Sequence, residues 1–121
     1  MTVYKMSLTQ LLEQVRNQPD QVEFQAVITV IADHYDYTPT RFTNGTQINE
    51  AGTNEGSCKI LSFGQLNQLS SEEALACFGS FYRDEVLNDP AGTSHGNIRA
   101  FMGTGWSGVS FDHPPLVLKE K

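Results

Sequence analysis

Apolar residues recur every three to four positions along most of this chain, interrupted by polar stretches rich in glycine, asparagine and proline. The first stripe is Leu8, Leu11, Leu12 and Val15, the i, i+3, i+4, i+7 spacing of one helix face, with Ser7 placed to cap it. Pro19 closes that helix and Asp20 can open a second, which buries Phe24, Val27, Ile28, Ile31 and Tyr35 at the same spacing. Val22, Thr29 and Val30 are β-branched and would also tolerate a strand. Thr38-Pro39 ends the segment, because the residue before a proline is pushed out of the α region.

The pattern then shortens. Arg41-Phe42-Thr43, Asn44-Gly45 and Thr46-Gln47-Ile48 read as a β-hairpin, with Asn-Gly supplying the positive φ values of a type I′ turn. After a loop over 49–56, a buried helix from Ser57 carries Ile60, Leu61, Phe63, Leu66 and Leu69. Ser70 and Glu73 form a capping box ahead of a strong helix whose inner face is Leu75, Phe78, Phe81 and Tyr82, with Val86 and Leu87 at its end. Asn88-Asp89-Pro90 breaks it. A short helix over 95–102 points Ile98, Phe101 and Met102 inward and stops at Gly103. Residues 105–111 alternate large and small as a strand does, and Leu116-Val117-Leu118 pairs back after Pro114-Pro115. The fold expected is α+β: four to five helices packed on a small, curved antiparallel sheet. The expected core is Phe24, Ile28, Ile31, Leu61, Leu66, Leu75, Phe78, Phe81, Ile98 and Phe101.

A length of 121 residues makes 1–121 one domain. With 39% hydrophobic and 18% charged residues, wholesale disorder is excluded. A net charge of -6 argues against nucleic acid, which needs clustered Lys and Arg. No apolar run approaches the ~20 residues of a membrane span. A signal peptide is not expected, since the stretch after Lys5 is broken by Thr9, Gln10, Glu13 and Arg16. Two cysteines fit reduced thiols, so a cytoplasmic location is expected, without cofactor or metal.

Candidate chemistry concentrates between Asp33 and Lys59, where aromatic, carboxylate, amide and glycine residues crowd together. His34, at a helix end, reads as a cap for terminal carbonyls rather than a metal ligand. Cys58 falls in the first turn of a predicted helix beside Lys59, an environment that lowers a thiol pKa, and His95 is a conceivable base. Against this stands the habit of cysteine to be buried as a small hydrophobe, which is also the reading of Cys77. Arg41, Lys59, Arg83 and Arg99 can capture an anion, or can pair internally with Asp36, Glu55, Asp84 and Asp112. Residues 103–108 carry three glycines but no following Lys-Ser or Lys-Thr, so a nucleotide loop is set aside. The expected functional surface gathers Tyr35, Tyr37, Asn44, Asn54, Glu55, Arg83, Arg99 and Trp106, the polar and aromatic groups of the least core-like segments.

Four blocks carry a family resemblance: HYDYTPTRFTNG, the run from Asn49 to Lys59, ALACFGSFYRDEVL and HGNIRAFMGTGWSGVSFD. Together they resemble the HopJ family, from about Asp20 onward. The family takes its name from type III secretion effectors of plant-pathogenic bacteria. The resemblance implies a small soluble bacterial domain, with secretion into a host cell as an alternative location, and brings no catalytic residues with it. An amphipathic helix beginning by Ser7 departs from the disordered, Ser-rich export region of an injected effector. Two function classes follow. One is a module binding a small anionic ligand or a protein partner; the other is a thiol-dependent enzyme using Cys58 and His95.

Overall fold

The first helix starts as its residues dictate. Ser7 Oγ accepts from the Gln10 backbone N–H at 3.1 Å, and the Gln10 side chain accepts from the Ser7 N–H at 2.9 Å. In this computed structural model, which describes residues 6–119, α1 (Leu8–Asn17) buries Leu11 and Val15. A 3-10 turn at Pro19–Gln21 follows, then α2 (Phe24–His34), β1 (Tyr35–Tyr37), β2 (Phe42–Asn44) and β3 (Gln47–Asn49). Next come α3 (Glu55–Leu66), α4 (Ser71–Ala76), a π-helical segment (Phe81–Val86) and α5 (Gly96–Thr104). A 3-10 turn at Gly105–Gly108, β4 (Val109–Phe111) and β5 (Leu116–Leu118) complete the described chain. The class is α+β as expected. Among the described residues there are six helices, counting the π-helical segment, rather than four to five.

The strands form two small antiparallel sheets instead of one, β3-β2-β4 and β1-β5. Proline explains the split. Thr38 N–H donates to the Pro115 carbonyl at 2.8 Å on one side of the gap, and Asp112 N–H donates to the Arg41 carbonyl at 3.0 Å on the other. Pro39 and Pro114 lie between these bonds and have no N–H to continue a ladder.

Several boundaries differ from expectation. α2 begins at Phe24, not Asp20, and ends at His34, so Tyr35 opens β1 with its ring buried. α3 starts at Glu55 rather than Ser57, and the helix expected after Ser70 breaks at Gly79, whose φ is +62°. The Ser70–Glu73 capping box forms in full. α5 continues through Gly103, and the strand expected over 105–111 is a 3-10 turn until Val109. The last strand pairs with β1, not with β4.

The hairpin turns one residue later than Asn-Gly suggested. Asn44 pairs with Gln47, leaving Gly45 and Thr46 as the two turn residues, and only Gly45 has positive φ. That is the arrangement of a type II′ turn. Asn44 becomes the buried end of β2.

One core cluster joins all layers. Of the expected members, Ile31, Leu61, Leu75, Phe78, Ile98 and Phe101 are buried, and Phe24, Ile28 and Phe81 are half-buried against it. Leu66 is 53% exposed, because it ends α3 on the outward side. Met102 and Leu87, also expected inward, are exposed.

Candidate functional site

Two helices begin at one cleft, and each begins unusually. The N-cap of α3 is Asn54 and the N-cap of α5 is His95; both are left-handed, with φ of 49° and 55°. An ordinary N-cap is extended and turns its side chain onto its own first turn. Neither does so here. Asn54 Nδ2 instead donates to Asn49 Oδ1 at 2.7 Å, and His95 Nε2 lies 2.8 Å from Glu85 Oε1. Left-handed backbone costs a non-glycine residue ~1–2 kcal/mol, so these bonds hold a strained geometry in place.

The cleft encloses about 490 Å³. Its apolar wall is Phe24, Phe78, Phe81 and Ile98, and its polar wall includes Gln47, Asn54, Ser57, Thr93, His95 and Asn97. Phe24 and Phe81 meet edge to face at 5.1 Å, and the His95 ring packs 5.3 Å from Phe81. Gly56 and Gly96, one in each first turn, bring backbone amides to the same surface.

Beneath the polar wall lies a connected set of asparagines. Asn97 Nδ2 donates to Asn49 Oδ1 at 2.9 Å, and Asn49 Nδ2 donates back to Asn97 Oδ1 at 3.1 Å. Asn44 Nδ2 donates to the Asn97 carbonyl at 2.8 Å and to its Oδ1 at 3.1 Å. With Asn54 on Asn49, four amides tie β2, β3, α3 and α5 together. Buried amides of this kind are costly unless satisfied. Asn97→Ala removes the Oδ1 acceptor shared by Asn44 and Asn49, although the Asn97 carbonyl still accepts from Asn44, and should cost ~1–3 kcal/mol, read as a lower midpoint in urea unfolding.

Of the residues expected to form one surface, Asn54 lines the cleft, as does His95, and Asn44 sits under it through Asn97. The others go elsewhere. Trp106 donates from Nε1 to the Leu69 carbonyl at 2.8 Å and packs against Phe101 at 4.8 Å over Gly64, so it is a packing residue. Tyr35 is buried beside Phe63, its hydroxyl accepting from Asn67. Arg83 is held by the carbonyls of Pro19 and Val22 at 3.2 and 2.7 Å, and Arg99 by those of Asp89 and Ser94 at 2.8 and 2.6 Å. Arg41 pairs with Glu50 at 3.3 Å, and Lys59 lies 4.7 Å over the Tyr37 ring. The anticipated pairings with Asp36, Glu55, Asp84 and Asp112 are therefore replaced largely by backbone carbonyls and an aromatic face.

Tyr37, Glu55 and Cys58 form a separate group. Burial, then a hydrogen bond with Glu55, then the nearby Cys58 hold the Tyr37 phenol well above its ordinary range. Cys58 is 1% exposed, and burial pushes its thiol up to about 11 although Tyr37 and the Thr40 backbone pull the other way. This is opposite to the activated thiolate that its position in the first turn suggested, and His95 lines the cleft where Cys58 does not. Burial raises Cys77 to about 12.

A pH profile follows. The unfolded chain releases its thiol protons near 9, whereas the folded chain keeps them to about 11 and 12. The folded state thus holds more protons in that window, and its stability falls as pH rises. Unfolding midpoints should be flat with respect to the thiols below pH ~9 and fall steeply above it, with Cys58→Ala and Cys77→Ala each softening the fall. Native Cys58 should also react slowly with a thiol reagent at neutral pH.

Asn49, Asn97 and Glu85 were not singled out from sequence. Asparagine density around Asn44–Asn54 was the available signal, but Asn97 lies 48 residues beyond Asn49.

Residues 8–116 match the family model described as HopJ type III effector protein. No curated protein matches the chain. A crystal structure of the unknown function protein VPA0580 is similar, at 48% identity and a TM-score of 0.93, over 98% of this chain and 99% of that one.

Proposed function

This chain belongs to the HopJ type III effector protein family, and from that premise we propose that it is a ligand-binding module whose cleft between α3 and α5 receives a small anion with a flat apolar part. The observation that carries this reading is the convergence of two uncapped helix starts on an aromatic-walled cleft of about 490 Å³. The volume falls within the usual range for small-molecule sites. First-turn amides favour negative charge, and the Phe24, Phe78 and Phe81 rings suit an aromatic body. A larger groove of about 660 Å³ beside α1 and α4 mixes Arg16 and Arg83 with Asp20, Glu72 and Glu73, a lining that favours neither sign.

The test is calorimetry with small aromatic sulfonates, phosphates and carboxylates against the native protein and Ser57→Trp. Ser57 is half-buried in the cleft wall, so the indole fills the space. Saturable binding weakened ~10-fold or more by Ser57→Trp supports the reading, on the scale of ~1.4 kcal/mol. Binding indifferent to that substitution places the ligand elsewhere. The burial of Cys58 favours this reading over thiol chemistry.

For location, we propose a cytoplasmic domain. The support is α1, which docks Leu11 and Val15 fully and would have to unfold for export. Among the described residues no helix is long and apolar enough to cross a membrane. Fusing residues 1–50 to a reporter in a strain with a working type III apparatus decides the matter. Efficient export would defeat it, and retention would support it.

A further inference from the structure

We propose that His95 is the protonatable contact of this cleft, so that an anion bound there brings a proton with it. The inference rests on the reading of the cleft as an anion site, and it adds which residue makes the affinity depend on pH.

The chemistry follows from one contact. His95 Nε2 lies 2.8 Å from Glu85 Oε1. An ionised carboxylate only accepts hydrogen bonds, so Nε2 carries a hydrogen in either protonation state of the ring. Nδ1 is the nitrogen that changes, a bare lone pair in the neutral ring and an N–H donor in the cation. The ring is set in place by Glu85 on one side and by Phe81 at 5.3 Å, and it forms part of the cleft wall.

The described residues of the cleft lining include no second ionisable side chain. Glu85, from the π-helical segment, is the charged group against the ring. Gln47 from β3, Asn54 and Ser57 from α3, Thr93 from the preceding loop and Asn97 from α5 line the cleft without charge. Glu55, the first residue of α3, lies beside Tyr37 and is not part of the cleft lining. Among the described residues, His95 is the one side chain lining the cleft that can take up a proton to become a cation.

With His95 neutral, the pair presents the single negative charge of Glu85 to an incoming anion. With His95 protonated, that charge is cancelled and Nδ1 becomes a donor. Anion and proton therefore favour each other's binding, and by reciprocity affinity falls as pH rises.

The probe is benzenesulfonate, whose own charge is fixed across this range, titrated calorimetrically from pH 5.5 to 8 into native protein, His95→Gln and Glu85→Gln. The native dissociation constant should rise with pH, by at most ~10-fold per pH unit for the one proton linked. His95→Gln should be flat, and Glu85→Gln should bind more tightly than native protein at pH 8. Glutamine already occupies a left-handed position at Gln68, so the first variant suits the backbone. Glu85 is exposed, which keeps the second folded. Native affinity indifferent to pH, a His95→Gln slope equal to native, or Glu85→Gln unchanged at pH 8 would each overturn the inference while leaving the cleft reading standing. Absence of binding at every pH overturns the cleft reading, and the inference with it.

Discussion

Gly79→Ala should destabilise the protein by ~2–5 kcal/mol, from two effects at one position. Gly79 has φ +62°, where an L side chain adds roughly 1–2 kcal/mol of backbone strain. A Cβ there would also lie 2.7 Å from the backbone nitrogen of Phe24, the first residue of α2. Backbone cannot rotate away as a side-chain tip can, so α2 and the π-helical segment must separate, a displacement on the order of 1–3 kcal/mol. The same displacement pulls Phe24 from Phe81 and opens the apolar wall of the cleft. Urea unfolding measures the cost, and a loss below ~1 kcal/mol would show that this close approach is relaxed at little expense.

Phe78→Ala should cost a similar ~3–5 kcal/mol, the range for truncating large buried aromatics. The ring is 2% exposed, belongs to the central cluster and also backs the cleft. Its loss should therefore weaken any cleft ligand as well as the fold. Stability within ~1 kcal/mol of native would mean that the segment between α4 and Gly79 packs differently from this account.

What the sequence made legible was local. The stripe of α1, the Ser70–Glu73 box and the proline breaks all depend on residues within a turn or two of each other, and they stand in the structure. The hairpin register did not follow from Asn-Gly because a one-residue slip leaves the dipeptide at the turn. The slip is settled by Asn44, whose amide bonds to Asn97 across 53 residues. Trp106 looked like a surface aromatic because its partner, the Leu69 carbonyl, is 37 residues away. Arg83 and Arg99 looked available because backbone carbonyls, their actual acceptors, leave no mark in a list of acidic residues. The cleft was legible only in part. Polar density pointed to Asn54 and the start of a helix to His95, but nothing local shows that the two helix starts face one space. That meeting depends on Asn49 and Asn97, contributed by different elements.

The central claim is that the first turns of α3 and α5 share one anion-binding cleft. Backbone amide mapping tests it directly, by following every N–H resonance while benzenesulfonate is added to the native protein at pH 6. Saturable shifts concentrated at Gly56, Ser57, Gly96 and Asn97, with one common dissociation constant, are the predicted result. Shifts confined to the groove between α1 and α4, or no saturable shift at these four amides, would contradict it.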